Sequence, residues 1–223
     1  MSIKIENVEV FGWEASIRGL RSPMNSWSKS DSYKTYIEND QTGQRADFEF
    51  FVGDNDLDLM QKLVKAGTDH RKFMRMIVVY VDVTAPLYWW KEADTYKVGT
   101  VRNSCSTMHK ITEKEFTLDD FSYDKMYYGT KTVLKNVVDD LNELRELYIS
   151  DANVSDDLRK HIWYNIIQLL PSSYNQRATL MLNYEVLANM YHSRKTHKLD
   201  EWHTFCDWIE TLPYSELITG DKE

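Results

Sequence analysis

Leu182-Asn183-Tyr184-Glu185-Val186-Leu187-Ala188-Asn189-Met190-Tyr191-His192-Ser193-Arg194 is the stretch from which the rest of the chain is read. Its apolar residues Leu182, Val186, Leu187 and Met190 recur at the spacing of one buried helix face, and polar residues fill the other side. Asn183, Asn189 and Arg194 are the members of that polar set suited to hold a ligand. Amides both donate and accept hydrogen bonds, and a guanidinium grips phosphate through a fork of N–H groups. The alternative is that the three residues only cap or solvate the helix.

Working outward, a long helical region is predicted from Asp156 through Ile162, Ile166 and Leu169, broken at Pro171 after Leu170 and resuming through Arg194. Trp202, Phe205, Ile209 and Leu212 predict a last helix before Pro213, and the tail 219–223 is expected to fray. Upstream, Leu134, Val137, Val138, Leu141, Leu144 and Leu147 form an amphipathic stripe between Gly129 and Ser150-Asp151. The β-branched run Met76 to Val83 predicts a buried strand that Pro86 stops, and a helix rich in aromatics is expected from Leu87 to Val98, closed by Gly99.

Asp54 is a suitable N-cap for a helix carrying Leu57, Met60, Leu63 and Val64 and ending at Gly67. Ile3, Ile5, Val8 and Val10 suggest a first strand, Glu14 to Arg21 a short helix, and the polar residues 22–44 a loop or excursion. No internal repeat or linker divides the chain. The expected fold is therefore α+β: a single domain over residues 1–223 with a small, mainly antiparallel sheet packed by several long helices.

At 223 residues, with 42% hydrophobic and 13% aromatic content, the chain is long and apolar enough for a globular core. A formal charge of −8 argues against general nucleic-acid or anionic-membrane binding, so an anionic ligand needs a local cationic cluster. Two cysteines, Cys105 and Cys206, make no disulfide framework, and no Cys/His spacing matches a zinc site, so no metal is expected. With no signal-peptide core and no membrane-length apolar run, a cytoplasmic setting is expected.

Taken together, Leu170-Pro171, Asn183, Asn189 and Arg194, with Trp202 beyond them, resemble the flavin-dependent thymidylate synthase (ThyX) family. That family carries a Leu-Pro step, then an Asn, a second Asn six residues on and an Arg five beyond, as here. The similarity runs from about Leu57 to Ile209. The chain departs from the family at its central Arg-His-Arg signature. Aligning Asn103 and Ser106 with the family's Asn and Ser puts Tyr96, Lys97 and Val98 there, with Ser104 in place of Glu and Met108 in place of the last Arg. The other register offers Thr95, Tyr96 and Lys97, with Thr100 on the Ser.

The resemblance implies methylation of dUMP to dTMP, with methylenetetrahydrofolate as carbon donor, FAD as hydride donor and NADPH as its reductant. It also implies a homotetramer with sites shared between subunits, for which the 134–147 stripe would serve as interface as well as core. Transferred residue by residue, it makes Lys97, Asn183 and Asn189 flavin contacts. Arg102, Asn103, Ser104, Ser106 and Arg194 become nucleotide contacts. Lys97 stands in for a lost arginine with attraction but without bidentate geometry. No protein nucleophile is required, because the cofactor carries the hard step.

Cys105 offers a different mechanism, thiolate attack on a pyrimidine, which needs a base such as His109 brought close by a helical segment. Tyr88, Trp89 and Trp90 could stack on a ring system, but at this spacing they read as core. The degenerate signature leaves open a non-catalytic relative that binds a nucleotide or flavin, or acts in assembly or regulation.

Overall fold

The computed structural model describes residues 3–38, 45–150 and 155–220. Six strands and nine α-helices follow one another along them. The first element is β1 (Lys4–Phe11), followed by α1 (Trp13–Arg21), β2 (Tyr33–Glu38), β3 (Arg45–Phe51) and α2 (Asp54–Lys65). Then come β4 (Val78–Pro86), α3 (Leu87–Ala93), β5 (Val101–Ser104), α4 (Thr107–Lys110), α5 (Tyr128–Ser150) and α6 (Asp156–Leu169). The chain finishes with β6 (Asn175–Asn183), α7 (Tyr184–Arg194), α8 (Asp200–Glu210) and α9 (Glu216–Thr219). One sheet has the strand order β1-β4-β6-β5, and β2 pairs with β3 in a separate antiparallel ribbon, Tyr33 opposite Phe51. The fold is the expected α+β class with a small sheet and long helices.

Several predicted elements are redrawn. The helix expected to resume after Pro171 is instead a strand, β6. Ala178, Leu180 and Leu182 are buried at period two between more exposed neighbours, and helical spacing only begins beyond Asn183. The predicted buried strand starts two residues later, at Val78, and runs on to Pro86. It is buried on one face only, with Val79, Val81, Val83 and Ala85 inward and Tyr80 exposed.

Helix α3 stops at Ala93, short of Val98, where the Thr95 N–H and hydroxyl both turn back onto Glu92 O in place of the next helical bond. The cap of α2 is Gly53, not Asp54. The carboxylate of Asp31, from the presumed excursion, accepts the otherwise orphaned Asn55 and Asp56 N–H groups at 2.9 and 3.1 Å. That excursion also holds β2, and its residues 39–44 lie outside the described residues, as do Asp151 and 221–223 of the expected tail.

Two compact units divide the chain. The first comprises residues 1–6, 82–95 and 102–179. Its core is the α5/α6 pair, where Leu134, Val138 and Leu141 meet Ile162 and Ile166 and enclose Ile111, Phe116 and Phe121. Leu134, Val138 and Leu141 are the buried members of the amphipathic stripe, whereas Leu147 is 55% exposed. Trp89 and Trp90 are buried edge to face, 4.9 Å apart, so the aromatic run is core.

The second unit comprises residues 7–81, 96–101 and 180–223. Helix α7 is its centre, packed by α8, α9 and the 3-10 turn Lys72–Met76. It buries Tyr184 to Ala188 without interruption, then Met190 and Tyr191. A single buried face was expected. A helix surrounded by neighbours hides nearly its whole circumference, leaving Asn189, His192 and Ser193 exposed.

Candidate functional site

In the second unit, the two stretches singled out from sequence converge on α7. Asn183 is the last residue of β6 and the N-cap of α7, its Oδ1 accepting the Val186 N–H at 2.9 Å. Its Nδ2 points to Gly99 O at 3.4 Å. Gly99 has φ +77°, and a Cβ there would lie 2.4 Å from Asn183 Nδ2, so glycine is required for this approach. At the other end of α7, the half-buried Arg194 donates from Nε to Tyr96 Oη at 3.0 Å. Its guanidinium carbon lies 5.5 Å from the Tyr96 ring centre and 4.8 Å from that of Trp202. Lys97, on the same loop as Tyr96 and Gly99, is exposed, as is Asn189, and neither side chain has a partner among the described residues.

Glu185, inside the apolar helix, was not singled out from sequence. It is buried and paired with Arg71, with Nη2 3.2 Å from Oε1 and Nε 3.0 Å from Oε2. An acid flanked by Tyr184 and Val186 in a buried helix was the available signal, because a buried carboxylate needs a cation.

In the first unit, Arg102 on β5 is held on three sides. Its Nη1 reaches Asp94 Oδ2 at 2.6 Å, its Nη2 reaches Gln176 Oε1 at 2.5 Å, and its guanidinium lies 3.9 Å from the centre of the Trp90 ring. Asn103 and Ser104 follow it on β5 and are exposed. Ser106 caps α4, its Oγ accepting the His109 N–H at 3.2 Å. Cys105 precedes that cap and His109 is the third residue of α4. The helical segment that would bring thiol and imidazole together is therefore absent, and both are exposed.

A cavity of about 450 Å³ opens beside this loop, lined by Cys105, Ser106, Thr107, Lys110, Tyr174 and Arg177 among others. The cations on its wall are all paired, Lys110 with Glu113, Lys114 with Asp120 and Arg177 with Asp82. Burial, aided by Asp120 and Cys105, pushes the Tyr174 phenol up, so it stays protonated and can donate a hydrogen bond at neutral pH. Among the described residues no cluster of three His, Cys, Asp or Glu could hold a metal ion. No helix there is long and apolar enough to cross a membrane.

The sequence matches no protein-family model and no curated protein. The structure does match solved ones. A flavin-dependent thymidylate synthase ThyX from Helicobacter pylori, crystallised with FAD and dUMP, superposes with TM-score 0.64 at 16% identity, over 98% of each chain. A second ThyX structure from that organism, also with FAD and dUMP, gives TM-score 0.67 at 15% identity, again over 98% of each chain. The chain therefore has the fold of the ThyX proteins along nearly its whole length.

Proposed function

We propose that the chain binds FAD and a uridine nucleotide, and methylates dUMP to dTMP with methylenetetrahydrofolate as carbon donor and NADPH as reductant of the flavin. The observation that carries this reading is the meeting of Tyr96 to Gly99 with both ends of α7, on a ThyX fold. The departed signature and the Asn183-Asn189-Arg194 set belong to one local structure.

The donor set there fits an anionic cofactor. Among the described residues the Lys97 ammonium and the Asn189 amide have no partner, and Gly99 brings backbone close to Asn183 without a side chain in the way. Lys97, Asn183 and Asn189 would hold the flavin, which when bound supplies the hydride. Arg194 would bind the nucleotide as an anion, with Tyr96 and Trp202 fixing the guanidinium plane. Arg102, Asn103, Ser104 and Ser106 would orient phosphate or pyrimidine, the Ser106 hydroxyl proton being free because its oxygen caps α4. A homotetramer with sites shared between subunits belongs to the same proposal.

The test is the visible spectrum of the purified protein after FAD addition, followed by tritium release from labelled dUMP with both co-substrates present. Bound flavin and release are expected. Arg194→Ala should weaken dUMP binding by about tenfold or more, as expected for a charged hydrogen-bonding partner. A protein that takes up no flavin and releases no tritium would overturn the reading, and unchanged dUMP affinity in Arg194→Ala would reduce α7 to scaffold.

A second reading, a non-catalytic nucleotide or flavin binder with a role in assembly or regulation, is favoured by one observation. Arg194 and Arg102 are already engaged, the first by Tyr96 and Trp202, the second by Asp94, Gln176 and Trp90. Nucleotide binding without tritium release would select it.

A further inference from the structure

The excursion after α1, read from sequence only as a loop, is tied down by a buried ion pair. Arg21 is 5% exposed and its Nε lies 2.5 Å from Oδ1 of the fully buried Asp56. The hydroxyls of Ser30 and Ser32 each donate to Asp56 Oδ2 at 2.6 Å. Trp27 donates from Nε1 to Arg18 O at 3.2 Å, so the indole is pinned although 49% exposed. Tyr33, 58% exposed, stacks on Phe51 with ring centres 5.4 Å apart. Exposed aromatic rings held this firmly present faces to solvent that the fold itself does not use.

Between these groups lies a cavity of about 480 Å³, walled by Ile17, Trp27, Tyr33 and Phe50 with Arg18 and Arg21. That volume is within the range of roughly 300–1,000 Å³ typical of small-molecule sites. On the rim Glu14 is paired with Lys34 at 2.5 Å, and this pairing holds its carboxyl below the usual range. Arg21 is matched by Asp56. The Arg18 guanidinium has no hydrogen-bonding or ion-pair partner among the described residues, and Glu14, the acid whose charge it senses, is already committed to Lys34. The wall therefore combines ring faces with one unmatched fork of N–H donors.

We propose that this cavity is a second ligand site, for a planar aromatic anion whose ring lies against Trp27 and Tyr33 and whose carboxylate or phosphate pairs with Arg18. Rings favour a flat apolar body, and guanidinium takes either anion in bidentate geometry. The site uses none of the residues assigned to flavin or nucleotide and does not rest on that assignment.

Calorimetric titration of the intact protein with naphthalene-2-carboxylate, 2-naphthyl phosphate and the neutral naphthalene-2-methanol tests the proposal. At least one of the two anions is expected to bind about tenfold or more tighter than the alcohol. Whichever anion prevails identifies the acidic group preferred. Arg18→Gln should abolish the preference while leaving the alcohol unchanged, and Trp27→Ala or Tyr33→Ala should weaken all three probes. All three side chains are exposed, so the variants should fold, which circular dichroism checks. The proposal is overturned if neither anion binds at about 1 mM, a weak-binding ceiling. It is also overturned if the alcohol binds as tightly as the anions, or if Arg18→Gln leaves the preference intact.

Discussion

Gly99→Ala, made alone and together with Asn183→Ala, tests the contact at the start of α7. Alanine at φ +77° is disfavoured by about 1 kcal/mol relative to glycine. Its Cβ would stand 2.4 Å from Asn183 Nδ2, a distance only relieved by rotating the Asn183 side chain away. That rotation withdraws Oδ1 from the Val186 N–H, and loss of an N-cap costs about 1 kcal/mol. Gly99→Ala should therefore destabilise by about 2 kcal/mol, lowering Tm by roughly 4–8 °C for a protein of this size. Asn183→Ala alone should cost about 1 kcal/mol, through the cap. In the double variant the cap is already gone and the clash has no object, so the total stays near 2 kcal/mol where additivity gives about 3. Urea denaturation of the four proteins measures the cycle. Additive losses, or a Gly99→Ala effect confined to about 1 kcal/mol, would refute the proposed coupling.

Asp56→Asn should destabilise by about 3 kcal/mol or more, because it leaves Arg21 buried without its counter-charge. Burial pushes the Asp56 carboxyl up, but hydrogen bonds from Ser30, Ser32 and Arg21 outweigh it and hold the group below its usual value. A carboxylate depressed in the folded state contributes fully above its unfolded pKa and less as pH falls through the folded one. Stability of the wild type should thus fall more steeply than that of Asp56→Asn below about pH 4, and parallel acid profiles in urea would contradict this. For the thiols, burial and the charges of Asp207 and Glu210 push Cys206 up to about 11, while Cys105 is exposed. Ellman's reagent at mildly alkaline pH should titrate one thiol in the native protein and none in Cys105→Ser; rapid reaction of two would refute the burial argument.

The elements legible in the sequence were those with one strong period and a clear boundary. The α5 stripe, the α2 run ending at Gly67 and the Trp202 to Ile209 helix are examples. Strand β6 was hidden because Leu180 and Leu182 sit at period two but run on into Val186, Leu187 and Met190 at helical spacing. The two periods share residues across the junction, and leucine, a good helix former, tilts the reading of the shared residues toward the helix. The remote Asp31 cap on α2 was equally invisible, since Asp54 is a good cap by type and nothing local shows that a residue of the excursion reaches the helix.

At the site, side-chain types were readable but their partners were not. Arg194 was a candidate from its chemistry, whereas its hydrogen bond to Tyr96 spans 98 positions. Gly99 read as a helix stop, and only the structure gives its positive φ a purpose against Asn183. Glu185 was overlooked because its partner Arg71 precedes a 3-10 turn, 114 positions away, in a stretch that carries no periodic signal.

Strand β6 passes into helix α7 with no intervening loop, Asn183 serving both. The chain has no slack there. One residue inserted between Leu182 and Tyr184 would turn α7 by about 100° about its axis, swinging Arg194 off Tyr96 and exposing part of a helix that is buried almost all round. Lengthening or shortening the polypeptide at this joint is thus equivalent to rewriting every contact along α7 at once. A change of residue type here costs one contact or one cap, whereas a change of residue count costs the whole helix its seat.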